Sequence, residues 1–246
     1  MPARIQDRTT DGPPFARRTA RLGRGALVRG AAALGLAALL PALLGACARR
    51  SPLLHPEGRI EAPAPETFRV RFETSRGPFV VEAHRAWAPN GVDRLYHLVR
   101  MGFYDDTRFF RVVDRFMVQF GISGDPQVSA AWRERAIPDD PVVKSNRRGF
   151  VTFATSGPNT RTTQLFVNYG DNLFLDSQGF APIGEVVEGM DVVENLWRSY
   201  GEGPPRGSGP DQSRIFAEGN AYLQREFPRL DYIESARIVS TSPARQ

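Results

Sequence analysis

The chain is poor in the side chains that carry most covalent and metal chemistry. Its 246 residues include one cysteine, Cys47, and three histidines, His55, His84 and His97. A lone cysteine cannot form an intrachain disulfide. The scattered histidines offer neither a serine–histidine triad nor, without further cysteines, a zinc site. The sequence therefore predicts no metal site and no hydrolase triad.

Lysine is almost absent as well, since Lys144 is the only one among 32 basic residues. The formal net charge of +5 arises before Cys47, where seven arginines face two aspartates, and the rest of the chain is balanced. A protein that binds nucleic acid needs an excess of positive charge on its folded part. We therefore predict no binding to nucleic acid.

Long hydrophobic runs are missing too. The most apolar stretch, residues 31–44, is interrupted by Pro41 and is shorter than the roughly 20 residues that span a bilayer core. It follows a basic stretch, as the apolar segment of a signal peptide does. It ends in Leu44-Gly45-Ala46-Cys47, which resembles the lipobox of bacterial lipoproteins, where the cysteine sulfur receives a lipid.

This leader predicts an exported protein, with residues 1–47 as the leader and Cys47 as the lipidated residue. The protein would then be anchored to the membrane at the periplasmic side of the cell envelope. Ala48 lacks the aspartate that is associated with inner-membrane retention, which slightly favours the outer membrane. Two alternatives stay open: an ordinary leader with an incidental cysteine, and twin-arginine export through Arg17-Arg18.

Residues 48–66 contain four prolines and show no period, which predicts an extended, semi-stiff linker. After them, residues 68–74 and 79–84 have the apolar content and the intervening turn of a β-hairpin. A helix should begin at Pro89 and end near Gly102, because its apolar residues follow helical spacing.

Short strands dominate the remainder. They are expected at residues 107–113, 115–120, 150–154, 164–168, 183–187 and 232–239, with a second helix over 189–198. Many short strands with two helices and no βαβ alternation favour a closed antiparallel barrel. Residues 122–148 read as a long loop, in which Asp139-Asp140 forms a solvated corner. Residues 201–230 read as a second irregular segment, with room for a short helix, which we expect to pack on the barrel.

An arginine and a glutamine stand out in the run Phe109-Phe110-Arg111-Val112-Val113-Asp114-Arg115-Phe116-Met117-Val118-Gln119-Phe120-Gly121. A guanidinium on an apolar wall is costly to desolvate, so Arg111 should have a polar task there. The plain alternative is a strand arginine that points to solvent.

This run, together with Phe153-Ala154-Thr155-Ser156-Gly157-Pro158-Asn159-Thr160 and Gln164-Leu165-Phe166, resembles the cyclophilin-type peptidyl-prolyl cis/trans isomerases. The resemblance implies an all-β domain over residues 67–242, a closed eight-stranded antiparallel β-barrel capped by two α-helices. Residues 201–230 would be an insertion in this domain, because a minimal cyclophilin has only a short connection there. It also implies a monomer that accelerates rotation about Xaa-Pro bonds of polypeptide substrates without a cofactor.

The resemblance also assigns roles to residues. Arg111 would donate to the prolyl nitrogen, Gln119 would hold the substrate carbonyl, and Gln164 would brace the arginine. Backbone at Ala154 and Thr155 would pair with the peptide. The apolar pocket for the proline would consist of Phe116, which we count with the catalytic residues, and of Met117, Phe166 and Leu175. Phe174 at the rim of this pocket and Phe180 would be further substrate-binding residues.

Three positions depart from the family pattern. Phe110 replaces a histidine before the arginine, Phe174 replaces a tryptophan at the pocket rim, and Phe180 replaces a pocket histidine. We expect activity to survive and cyclosporin binding to weaken, because the indole donor is missing. Two other interpretations stay open: a cyclophilin-fold module that holds proline peptides without relevant turnover, and a barrel that stores a small apolar ligand.

Overall fold

A computed structural model describes residues 51–60 and 62–242. Eight antiparallel strands form one sheet: β1 (Thr67–Thr74), β2 (Gly77–His84), β3 (Arg111–Val113), β4 (Met117–Phe120), β5 (Phe150–Phe153), β6 (Leu165–Asn168), β7 (Pro182–Glu188) and β8 (Ile233–Ser242). The α-helices are α1 (Pro89–Arg100), α2 (Pro126–Arg133), α3 (Met190–Glu194), α4 (Gln212–Glu218) and α5 (Asn220–Glu226). The predicted eight-stranded antiparallel fold is confirmed.

The sheet curls until its two edges meet. Its strand order is β3-β4-β6-β5-β7-β2-β1-β8, so β3 and β8 are the edges. The segment just before β3 bonds to the start of β8: Asp106 N donates to Ile233 O over 2.8 Å, and Phe109 N donates to Asp231 O over 3.0 Å. The strand predicted over 107–113 is therefore divided, because its first half closes the barrel and only its second half pairs with β4.

Aromatic side chains fill the barrel interior. Phe72 and Phe79 stack at 4.8 Å between ring centroids, and Phe120 meets Phe72 edge to face at 5.9 Å. Helix α1 covers one end of this core through a fully buried face that includes Val92 and Leu95. The i, i+3 spacing of these residues predicted that face.

The predicted loop over residues 122–148 contains a helix, so that prediction was wrong in part. Asp125 caps α2 by accepting a hydrogen bond from Gln127 N at 2.8 Å, and Pro126 occupies the first turn. Val128 and Trp132 are buried on the inner face. Aspartate followed by proline is a helix start that the sequence already displayed. The helix predicted over residues 189–198 is shorter in the structure, where only Met190–Glu194 form α3.

The stretch predicted as an extended linker lies on the domain where the structure describes it. Leu53 and Ile60 pack against the main core, and Leu53 O accepts a hydrogen bond from Trp132 Nε1 at 2.8 Å. Ala64 is buried, and its N–H donates to Asp93 at 2.8 Å. We call residues 51–66 the N-terminal arm. The leader and Cys47 lie outside the described residues.

The insertion over residues 201–230 folds into α4, α5 and their flanking loops. It has its own apolar cluster, built on Phe110 and Ile122 of the barrel with Ile215, Tyr222, Leu223 and Leu230 of the insertion. The insertion therefore packs on the barrel as predicted, although it contains two helices rather than one. Phe110 packs against the insertion in this cluster, so the aromatic side chain at this position has a structural role.

Within the described residues, none of the helices has both the length and the apolar character that crossing a lipid bilayer requires.

Candidate functional site

The hairpin of β3 and β4 sets Arg111 directly opposite Gln119 in register. In β4, Gln119 in turn pairs with Phe166 of β6. All three side chains line one open groove with a cavity of about 460 Å³. The interpretation of Arg111 as a solvent-facing strand arginine was therefore wrong, since only about 20% of its side chain is exposed.

A chain of polar contacts fixes the arginine. Arg111 Nη1 donates to Gln119 Oε1 at 2.9 Å, and Gln119 Nε2 donates to Gln164 Oε1 at 2.8 Å. Gln164 thus braces the arginine through Gln119 rather than by direct contact. Since an amide nitrogen carries two hydrogens, Gln119 keeps one N–H that a substrate carbonyl can accept.

The other edge of the guanidinium is held by an acid that the sequence did not point to. Arg111 Nε and Nη2 donate to the two carboxylate oxygens of Glu202, both at 2.7 Å. Such bidentate pairs are among the strongest hydrogen-bonded contacts in proteins. The arginine's hydrogen bonds lower the pKa of Glu202 below its ordinary value, against a smaller opposing effect of burial.

The predicted apolar pocket lies beside the arginine. Met117, Phe166 and Leu175 are buried together. Phe180 meets Phe166 edge to face at 5.8 Å, and the Phe116 ring lies 5.9 Å from Arg111 Cζ. Each of these side chains lines the groove.

Phe174 behaves differently from the rest of the predicted pocket. It is 55% exposed and does not line the cavity, although its ring stacks on Phe116 at 5.9 Å. It lies in a 3₁₀ turn, Leu173–Gln178, whose buried residue is Leu175. Phe174 therefore lies at the rim, where the resemblance expected it, and not in the pocket itself.

Backbone on the opposite wall comes from the end of β5 and the loop after it. Ala154 N donates to Gln164 O at 2.9 Å, and both Ala154 and Thr155 line the groove. The Thr155 hydroxyl bonds to the Gly157 carbonyl and the Thr160 hydroxyl. These contacts give the loop a fixed shape beside the groove.

Two aspartates support this wall. Asp139 is exposed, as its assignment to a solvated corner predicts, whereas that assignment was wrong for Asp140. Asp139 Oδ2 accepts from Asn159 N at 2.7 Å, and Asp139 N donates to Asn159 Oδ1 at 2.8 Å. Asp140 is buried, where it accepts from Gly91 N at 2.9 Å and forms an ion pair with buried Arg161 at 3.1 Å. Asp140 thus connects the start of α1 to the loop between β5 and β6, in which Arg161 lies.

Several lining residues were not predicted. Besides the predicted ones, the groove is lined by Arg133, Ser156, Thr160, Thr162, Gln212, Ser213 and Phe216. Three of them belong to α4, and Arg133 of α2 lies 5.2 Å from the Phe216 ring. The insertion thus forms one side of the groove, which no local sequence pattern indicated.

The sequence of the chain is similar to those of known proteins. Residues 69–211 match the family model described as cyclophilin type peptidyl-prolyl cis-trans isomerase/CLD. The chain is 33% identical to peptidyl-prolyl cis-trans isomerase B of Escherichia coli strain K12 over 179 residues, 70% of this chain and 99% of that protein. It is also 33% identical to peptidyl-prolyl cis-trans isomerase cyp18 of Streptomyces antibioticus over 135 residues, 52% of this chain and 81% of that protein.

Solved structures show the same fold. A Cryptosporidium parvum cyclophilin type peptidyl-prolyl cis-trans isomerase superposes with a TM-score of 0.52 at 21% identity, over 72% of this chain and 99% of its own. The same protein solved in the presence of the dipeptide Ala-Pro gives a TM-score of 0.51 over 70% and 99%.

Proposed function

The chain belongs to the cyclophilin-type peptidyl-prolyl cis-trans isomerase family, and we propose that Arg111 and the pocket beside it carry the reaction. The observation that supports these roles is that the guanidinium and the apolar side chains of Met117, Phe166 and Leu175 line one groove. The enzyme is a rotamase, and proline-containing peptides are its substrates.

The reaction sets clear demands. Rotation about an Xaa-Pro bond crosses a barrier of roughly 18–20 kcal/mol, because the amide loses resonance as it twists. Uncatalysed, the change takes about 10–100 s at room temperature. In the twisted state the carbonyl is less polar and the nitrogen has a free lone pair. A catalyst therefore needs an apolar slot for the ring and a donor for the nitrogen, with no covalent step.

Arg111 supplies the donor. A hydrogen bond from a charged group contributes about 1.5–3 kcal/mol net, which corresponds to roughly 10- to 150-fold in rate. The rest of the acceleration comes from the dry pocket of Phe116, Met117, Phe166 and Leu175, which favours the less dipolar twisted amide. Phe180 completes this pocket, and Phe174 supports Phe116 from the rim.

The flanking peptide is held by polar groups. The free N–H of Gln119 donates to the substrate carbonyl, and backbone at Ala154 and Thr155 pairs with the peptide. Gln164 keeps Gln119 oriented through their 2.8 Å hydrogen bond. One part of the peptide is fixed in this way while the other rotates.

We further propose that the enzyme works as a monomer on exported proteins, tethered at the periplasmic side of the cell envelope by a lipid on Cys47. The support is the basic stretch, the short apolar run and Leu44-Gly45-Ala46-Cys47. Feeding a clickable fatty acid to a bacterial host that produces the full chain tests the anchor. Label and membrane fractionation should both disappear in Cys47→Ser, and label that persists would contradict the proposal.

Isomerisation of an Ala-Pro test peptide by the full chain tests the enzymatic proposal. We expect exchange well above the uncatalysed rate, without added metal or cofactor. An uncatalysed rate together with measurable binding of the peptide would favour a holding module over an enzyme.

A further inference from the structure

Besides lining one side of the groove, the insertion contacts Arg111 directly through Glu202. Glu202 is 91 positions from Arg111 in the chain, yet its carboxylate takes two of the arginine's hydrogen bonds, both 2.7 Å long. The acid and the arginine are both mostly buried, with about 25% and 20% of their side chains exposed. In such a setting the ion pair is weakly screened by solvent.

The acid holds the arginine without covering the groove. Arg111 lines the cavity and Glu202 does not. A guanidinium has five N–H groups, of which Glu202 engages two and Gln119 one. One N–H on Nη1 and one on Nη2 remain for the substrate. Glu202 thus fixes the plane of the guanidinium and leaves its donors available.

The glycine-rich loop that starts the insertion holds Glu202 in turn. Gly203 N donates to Glu202 Oε1 at 3.2 Å, and Gly209 N donates to Glu202 O at 2.9 Å. The loop folds back closely, because a Cβ at Gly207 would lie 2.2 Å from the Glu202 carbonyl oxygen. This glycine-rich loop, to which the sequence analysis assigned no chemical role, therefore holds the Glu202 carboxylate in place.

We propose that Glu202 is a positioning residue for the isomerase reaction, which holds the Arg111 guanidinium in the orientation that donates to the prolyl nitrogen. The proposal rests on the proposed role of Arg111. In this role, Glu202 is the residue through which the insertion acts on catalysis. A guanidinium held at only one edge, by Gln119, would sample many orientations and lose the pre-organisation that transition-state stabilisation requires.

The test compares two variants of the full chain, Glu202→Gln and Glu218→Gln, each of which removes one negative charge. Glu218 is the matched control, because it also lies in the insertion and pairs with arginines, but its partners are Arg214 and Arg225 rather than Arg111. We expect Glu202→Gln to lower kcat at least tenfold with KM changed less than twofold, since the proline pocket is intact. Glu218→Gln should match the wild type.

Two further measurements separate positioning from a merely structural role. In the Arg111→Ala background, Glu202→Gln should have no further effect, because its partner is absent. The Nε–H resonance of Arg111, visible by ¹⁵N NMR when the pair is intact, should be lost in Glu202→Gln and retained in Glu202→Asp, whose activity should fall between the two. Melting temperatures identify any variant that fails to fold.

Unchanged or increased activity of Glu202→Gln would overturn the proposal, and an increase would mean that the acid restrains the arginine. An equal loss of activity with and without Arg111 would also overturn it, in favour of a structural role. An inactive wild type would instead remove the proposed function, while the Nε–H signal would still report on the ion pair.

Discussion

Replacing Phe110 by alanine should release the insertion from the barrel while leaving the barrel folded. Phe110 is 2% exposed and contributes the barrel's aromatic contact to the second apolar cluster. Truncation of a buried phenylalanine costs about 3–5 kcal/mol, a large part of the about 5–15 kcal/mol that stabilises a typical domain. Since the cluster lies outside the main core, the loss should appear first as local opening of α4 and α5.

Hydrogen exchange followed by mass spectrometry measures this opening. A loss of about 3 kcal/mol corresponds to more than 100-fold faster exchange in residues 212–226. Amides of β1 and β2 should keep their protection from exchange. Isomerase activity should fall, because opening of the insertion releases the loop that positions Glu202. Phe110→Leu, which retains most of the apolar volume, is the control. Unchanged protection of α4 and α5, or an equal loss across β1 and β2, would refute this reasoning.

Two other predictions concern single side chains. Burial lowers the pKa of His97, whose Nε2 contacts Ala62 O at 2.7 Å. Below about pH 6.5, the imidazole therefore binds a proton more readily in the unfolded chain than in the folded chain, and this difference favours unfolding. The melting temperature should therefore fall as the pH drops from 7.5 to 5.5, and more steeply than in His97→Gln; parallel curves would contradict this. Phe174→Trp should strengthen cyclosporin binding by about 2- to 10-fold, one neutral hydrogen bond, and an unchanged Kd by titration would contradict that.

The sequence predicted best those elements in which buried residues recur at a regular spacing along the chain. Strand β1 reads Thr67–Thr74 with every second residue buried, so its face and length were visible in the chain. Helix α2 was missed because residues 122–148 were interpreted as one long loop, although Asp125 and Pro126 form a standard helix start. The apolar residues Leu53 and Ile60 were outweighed by the prolines around them, which hid the packing of the N-terminal arm.

The groove was predicted by a different route, namely the family resemblance of β3, β4, β6 and the loop after β5. It located Arg111 and its pocket, because those residues lie in recognisable motifs. It could not locate Glu202, which belongs to an insertion without periodicity. Its pairing with Arg111 depends on tertiary packing over 91 positions, and no local pattern of a single sequence encodes such a contact.

The most direct test of the mechanism is the activity of Arg111→Ala in the full chain, measured as kcat/KM on an Ala-Pro test peptide. The control is Arg115→Asn in the same hairpin, because the Arg115 side chain is 94% exposed and asparagine tolerates its positive φ of 58°. The account predicts a loss of roughly 10- to 150-fold for Arg111→Ala and none for the control. Equal activity of Arg111→Ala and wild type would contradict it.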